Sequence, residues 1–353
     1  MRRSRVTASD VAKKAGVSPT TVSVVFSNRE SNGIPEETRK RVRDAATILG
    51  YRPHGLARAL ARGRTDVIGI VLFQEAPVTD PDSYFLRSIL NLLLLDVLRV
   101  KRNPLLFASL SYDPIDPYVL ADGRADAFIL ISPEKDEPIL GFLEAQGLPF
   151  VAIGARAEFR HGVTIDGDNE NGVASAIEHL VSCGHTRIAH LAGPVGNWDG
   201  DIRREAFVRE MQRRGLTVPS HHIVNGAFIM QEAEEAALSL LTRPDRPTAL
   251  FAGNDNMAIG AYRAAERLEL RIPEDLSVVG FDDIEHARVL SPPLTTVRQP
   301  IAEMAEAAVR LLVQPALPGQ PESRSLVFPT TLTERGSVAS PQRQGGNVHV
   351  PIP

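Results

Sequence analysis

The residues near the start of the chain that are best suited to chemistry are hydroxyls and cations, not a nucleophile with its base. Ser18-Pro19-Thr20-Thr21-Val22-Ser23 carries four hydroxyls on one short segment directly after Gly16-Val17. Hydroxyls both donate and accept, so such a surface suits hydrogen bonds to phosphate oxygens or base edges. Charge points the same way. Residues 1–64 carry 14 Lys and Arg against 5 Asp and Glu, a net of +9, while residues 65–353 carry 25 against 38, a net of −13. A basic head on an acidic body is the asymmetry of a phosphate-binding piece on a soluble core; a merely basic, solvated tail is the plainer alternative.

Other chemistries lack their residues. There is no strand-linked Gly-x-Gly-x-x-Gly, no Walker loop and no Gly-x-Ser-x-Gly elbow, so no enzyme is expected. Asp166-Gly167-Asp168-Asn169-Glu170-Asn171-Gly172 superficially resembles a calcium loop, but its glycine is one place late and Ile177 stands where the bidentate acid belongs. The nine histidines show no metal-ligand spacing, so neither metal nor cofactor is expected. Cys183 is the only cysteine, which excludes an intrachain disulfide and makes the cytoplasm the expected compartment. Met1–Arg5 is basic but no long apolar stretch follows, and Asp96 and Arg99 bound the leucine-rich run 91–98. Neither an export signal nor a membrane span is expected, which disfavours a solute receptor serving a transporter.

The elements that must position these residues change character along the chain. Residues 7–49 read as three short helices: a capping box at Thr7 and Asp10 with a stop at Gly16, a second start at Ser18-Pro19, and a third helix from Pro35-Glu36-Glu37 to Leu49-Gly50. Pro53 to Arg62 reads as a short fourth segment. From Asp66, apolar runs at 67–73, 104–110, 127–132, 150–154, 187–193, 248–253 and 276–281 alternate with helical stretches at 86–101, 170–183, 202–214, 231–242, 256–269 and 300–313. Strands apolar on both faces between helices indicate parallel sheets.

Val6 to Ser23 closely resembles the headpiece signature of the LacI/GalR repressor family. Glu36-Glu37-Thr38-Arg39, Leu49-Gly50-Tyr51-Arg52-Pro53 and Leu56-Ala57-Arg58-Ala59-Leu60 are similar to its next elements, and Phe251–Asp255, Ser277–Asp283 and Pro292–Val297 to its later blocks. The resemblance spans roughly residues 6–335. It implies an all-α helix-turn-helix headpiece and an α/β core of two Rossmann-like subdomains resembling periplasmic binding proteins. The expected boundaries are 1–52 for the headpiece, 53–65 for hinge helix and linker, and 66–336 for the core. Within the core, lobe one is expected at about 66–161 and 293–325, lobe two at about 162–292, with a disordered tail at 337–353.

By that resemblance Pro19, Thr20 and Val24 face base edges. Val24 and Pro19 offer only apolar contact, leaving Thr20 as the main polar reader; alternatively Val24 is partly buried and reads nothing. Ser18, Thr21, Ser23, Asn28 and Tyr51 are cast as phosphate contacts, and Thr7 as a further DNA-binding residue. Pro53, His54, Ala57 and Leu60 belong to the hinge, with Leu60 as a minor-groove wedge. The loop Asn28–Ile34 is about two residues longer than the commonest family form. In the core, Arg203, Asn254, Asp282, Tyr84, Phe85 and Phe228, with Trp198 and Asp199, match effector contacts, although Asn254 and Asp282 also suit helix caps. Such a set suits a sugar, nucleoside or related polyol. Expected partners are roughly palindromic operator DNA, a small-molecule effector and a second copy of the chain in a homodimer or higher oligomer, without a membrane.

Overall fold

The computed structural model describes residues 6–26, 33–52, 63–73, 84–108, 115–314 and 325–341. It divides into two units, Met1–Asp66 with Gly123–Asp126, and Val67–Asp122 with Ala127–Pro353. In the first unit, helix α1 (Ala8–Ala15) starts on the expected capping box: Thr7 Oγ1 accepts from Asp10 N at 3.3 Å and Thr7 N donates to Asp10 Oδ2 at 2.8 Å. It stops at Gly16, whose φ of 66° is the left-handed conformation glycine adopts without strain. Helix α2 (Pro19–Val25) is capped by Ser18, and α3 (Glu36–Leu49) runs to Gly50. Val11, Ala12, Ala15, Val22, Val25, Val42, Ala45 and Ala46 form the small core, with the Phe26 and Tyr51 rings 5.8 Å apart at its edge. Thr65 and Asp66 belong to this unit through Asp126, whose carboxylate accepts from both their backbone N–H groups.

The second unit holds two six-stranded sheets. The first uses β1 (Val67–Leu72), β2 (Asn103–Ala108), β3 (Ala127–Ile131), β4 (Phe150–Ile153), β5 (Gly162–Gly167) and β11 (Ser325–Phe328), in the order β11-β5-β4-β3-β1-β2, all parallel. Its core packs α4 (Tyr84–Arg99) and α10 (Ile301–Val313) on one face, and α5 (Pro138–Gln146) adds a further helix. The second sheet uses β6 (Ile188–Ala192), β7 (Ile223–Asn225), β8 (Ala249–Ala252), β9 (Ser277–Asp282), β10 (Thr295–Arg298) and β12 (Thr331–Thr333), in the order β12-β10-β9-β8-β6-β7, with only the β10–β12 pair antiparallel. Helices α6 (Asn169–Ser182) and α7 (Trp198–Arg213) cover one of its faces, α8 (Met230–Leu241) and α9 (Asp255–Arg267) the other.

The chain crosses between the lobes three times, after β5, after β10 and after β11, and this corrects the expected lobe boundaries. Residues 162–167, expected in the second lobe, pair with β4 in the first. The segment Gly-Val-Thr-Ile-Asp-Gly is too polar to read as a strand, and it begins with a glycine because a Cβ at Gly162 would lie 2.2 Å from the Phe150 ring. Thr295–Arg298 likewise belongs to the second sheet, not the first lobe. The expected tail also begins too early. Ser337 is buried, its carbonyl accepts from Val278 N at 2.9 Å, and its hydroxyl joins Thr295 N and Val278 O. Ala339 N donates to Ser277 Oγ at 3.1 Å. Hydrogen bonds fasten this segment, and Val338 packs against the core of the second lobe, neither of which composition alone reveals.

Candidate DNA-reading helix and effector cleft

Helix α2 divides its residues by burial. Val22 and Val25 face the headpiece core, whereas Pro19, Thr20 and Ser23 are exposed and Thr21 and Val24 half-buried. Ser18 Oγ accepts from Thr21 N at 3.0 Å and lies 2.9 Å from Thr21 Oγ1, so both hydroxyls first serve the turn. Thr7 Oγ1 is similarly engaged, donating to Asp10 Oδ2 at 2.7 Å. Thr20 and Ser23 are therefore the hydroxyls of α2 presented outward. Lys13, Lys14, Lys40, Arg41, Arg43 and Arg52 are exposed on the same unit and supply positive charge. Tyr51 is half-buried against Phe26. Asn28, Pro53, His54, Ala57 and Leu60 lie outside the described residues.

In the core, the carboxyl ends of the strands of both sheets meet around Arg203, the usual ligand position in open parallel sheets. Arg203 is only 2% exposed. Its Nε donates to Asn169 Oδ1 at 2.7 Å and a terminal nitrogen to the Gly253 carbonyl, while Asp199 and Asp282 stand 3.5 and 3.9 Å away. The guanidinium lies 3.9 Å over the Phe281 ring and 5.7 Å from that of Phe228. Phe228 reaches this place because Gly193 leaves room: a Cβ there would meet its ring at 2.3 Å.

Asn169 stands at the first crossing and ties the lobes together. Its amide donates to Asp166 at 3.0 Å and to Asp199 Oδ1 at 2.8 Å, and Asp166 also accepts from Arg156 Nε at 2.9 Å. Asp282 accepts from Gln299 Nε2 at 2.7 Å. Its φ of 120° and the 57° of Asp283 are rare for residues with a side chain, and the Asp283 carboxylate is anchored by Arg298 at 2.7 Å and by Arg335. Burial pushes the Asp282 carboxyl up to about 7 against the opposing pull of Arg203 and Gln299, and Asp199 raises it further. Asp255, fully buried and holding Thr296 Oγ1 and Ile284 N, is pushed well up by burial and then by Asp282. Asp166 is raised likewise, by burial first and then by Asp199.

The expected effector residues thus separate. Arg203, Asp199, Asp282 and Phe228 gather in one group. Asn254 caps α9 through Met257 N at 2.8 Å and donates to the Phe228 carbonyl at 3.3 Å, so it serves the local backbone, with one amide N–H remaining. Trp198 lies beneath Lys135 Nζ, 5.4 Å from its ring, and its Nε1 is buried without a partner. The Tyr84 ring packs against His286 of the second lobe, with centroids 3.9 Å apart and the planes tilted by 32°. Phe85 packs against the apolar core of the first lobe. Asp166, Asn169, Arg156, Gln299 and Phe281 were not anticipated as site residues. Asp166 and Asn169 fall in the acidic stretch that fails as a calcium loop, and only the crossing of the chain at that point brings them to Arg203.

A helix-turn-helix head with an outward hydroxyl-bearing helix, joined to a two-lobed core with a polar cleft, defines a regulator that senses a small molecule. Residues 7–54 match the model described as bacterial regulatory proteins, lacI family, and residues 177–338 the periplasmic binding protein-like domain. The HTH-type transcriptional repressor PurR of Escherichia coli O139:H28 is 32% identical over 340 residues, covering 94% of this chain and 97% of that protein. Among solved structures, the lac repressor dimer bound to operator and the anti-inducer ONPF matches with a TM-score of 0.81 at 25% identity, over 95% of this chain and 100% of that one. The transcriptional regulator CelR–cellobiose complex matches with a TM-score of 0.69 at 28% identity, over 94% and 100%. The chain belongs to the LacI family of bacterial regulatory proteins and is a DNA-binding transcriptional regulator.

Proposed function

We propose that this chain is a repressor whose operator affinity is set by a small, uncharged, hydroxyl-rich molecule, a sugar, polyol or nucleoside, held between the two lobes. The observation that carries this reading is the buried group around Arg203. Asp166, Asp199 and Asp282 surround it with acceptors, Arg203 and Asn169 offer donors, and Phe228 supplies a ring face. An anionic ligand would meet three acidic side chains and, among the described residues, no unopposed cation, whereas hydroxyls pair with acids in either protonation state and accept from arginine and amide groups. The cellobiose bound by CelR, a related regulator, supports the sugar side of this choice.

At the other end, Thr20 reads a base edge, Pro19 and Val24 offer apolar contact, and Ser18, Thr21, Ser23, Thr7 and Tyr51 approach phosphates. Asn28 joins the phosphate contacts, Pro53, His54 and Ala57 form the hinge, and Leu60 is the minor-groove wedge. The lac repressor relative binds operator as a dimer, which supports an isologous dimer of this chain on a roughly palindromic site. No helix among the described residues is long and apolar enough to cross a membrane. The protein works in the cytoplasm as a regulator without enzymatic activity.

A thermal-shift screen of sugars, polyols and nucleosides tests the sensor, followed by operator binding with and without each hit. A hit is expected to raise Tm and to change operator affinity, and Arg203→Met is expected to lose the ligand-induced shift while remaining able to bind operator. If no such molecule binds, or if Arg203→Met responds as the parent does, the cleft is not the sensor.

A further inference from the structure

At the end of the second sheet opposite the cleft, three ligand-bearing side chains meet that neither DNA reading nor effector binding uses. His221 and His222 form part of the tight turn Ser220–His222 leading into β7, and Asp245 lies in the loop between α8 and β8. Both strands are parallel to β6, so these residues sit at their amino ends, while Phe228 and Asn254 follow their carboxyl ends. His221 Nε2 is 2.7 Å from Asp245 Oδ2, His222 Nε2 is 4.0 Å from the same oxygen, and the three ligand atoms lie within 4.8 Å of one another.

His222 makes this more than an ordinary surface pair. It is 2% exposed, and neither of its ring nitrogens has a hydrogen-bond partner within 3.5 Å. A buried polar group without a partner is costly and calls for an explanation. A cation taking the Nε2 lone pair supplies one. The His221 and Asp245 side chains are 36% and 49% exposed, so an ion and a water have a route in. Arg243 Nε holds the other carboxylate oxygen of Asp245 at 3.3 Å, which leaves Oδ2 toward the two imidazoles.

We propose that His221, His222 and Asp245 bind a late first-row divalent cation, zinc foremost, with water in the fourth position. Two imidazoles and one carboxylate suit zinc at about 2.0–2.2 Å, and drawing the donors onto such an ion requires shifts of about 1 Å in the two exposed side chains. The bound ion ties the turn before β7 to the loop after α8, so it clips together the segment that carries Phe228 into the cleft.

The test uses the untagged full-length chain, stripped with EDTA and returned to chelator-free buffer. Titration with zinc chloride by calorimetry is expected to give one equivalent per chain and a higher Tm, and cobalt chloride to give the ligand-field bands of a tetrahedral site. His221→Ala and Asp245→Asn, both at exposed positions, are expected to weaken zinc binding tenfold or more, lose the cobalt bands and melt like the parent in EDTA. His161→Ala, a surface histidine elsewhere, is expected to bind zinc as the parent does. Absence of stoichiometric binding, or binding undiminished in His221→Ala and Asp245→Asn, overturns the site. A variant that melts lower in EDTA is judged by its cobalt spectrum, and retained tetrahedral bands there likewise overturn it.

Discussion

Arg203 illustrates how a buried cation becomes a recognition element instead of a burden. Its donors are already engaged by Asn169 and the Gly253 carbonyl, with two carboxylates nearby, so an incoming hydroxyl replaces existing partners and does not meet a bare charge. Asp282 beside it is pushed up to about 7, chiefly by burial, from an ordinary value of 3.8. The folded protein therefore holds this proton more tightly than the unfolded chain does. The contribution of Asp282 to stability falls as pH rises from about 4 to about 7 and is flat outside that window. Asp282→Asn, which resembles the protonated form, is expected to flatten the dependence of the urea midpoint on pH across this window. A pH profile unchanged by the substitution would show that Asp282 titrates as it does in an open chain. The sequence blocks around Arg203, Asn254 and Asp282 made these residues legible, because each sits in a short motif at a strand end or helix start. Asn169 and Gln299 were not legible. Their places depend on where the chain passes between sheets, and no local pattern marks that.

At the scale of elements, the three headpiece helices are legible in the sequence, since caps and stops carry their own residues. Thr7 with Asp10, Ser18 with Pro19, Gly16 and Gly50 bound three helices where the sequence places them. The exposed face of α2 then separates two kinds of hydroxyl. Those of Ser18 and Thr21 hold the turn, whereas Thr20 is free of that duty and points outward. Thr20→Ala is expected to weaken binding to the preferred operator by about 1–3 kcal/mol while leaving nonspecific binding and the salt slope unchanged, as base contacts do. Equal losses on specific and random DNA, measured by fluorescence anisotropy at several salt concentrations, would reassign Thr20 to a phosphate. In the core, long apolar strands were legible and β5, β7, β10, β11 and β12 were not. These are short or half-polar segments, β7, β11 and β12 at sheet edges and β5 and β10 just inside them, whose conformation is set by partner strands, and α5, rich in Leu and Phe without a strong polar face, escapes for a similar reason.

At the scale of the whole core, the lobes touch at two rims of the cleft. Tyr84 of α4 packs against His286, and Lys135, in the loop after β3, binds Asp201 at 2.7 Å while its backbone N–H donates to Gly196 O at 3.1 Å. An exposed ion pair of this kind adds little to stability, about 0–1 kcal/mol, yet it favours one arrangement of the lobes over another. Lys135→Ala is accordingly expected to leave the urea midpoint nearly unchanged and to alter effector affinity severalfold; identical effector dissociation in the variant would remove this rim from the gating of the cleft. The triple crossing between the lobes has another consequence, which concerns time. Strand β11 pairs with β5 through Ser325 and Thr164, about 160 residues apart, so the first sheet gains its edge only after most of the second lobe has been made. At translation rates of about 5–20 residues per second, β5 waits on the order of 10 s as an open edge on the ribosome, an interval in which it is available to the wrong neighbour. The same interleaving that lets the two lobes answer one ligand together makes a half-synthesised chain the most vulnerable form of the protein.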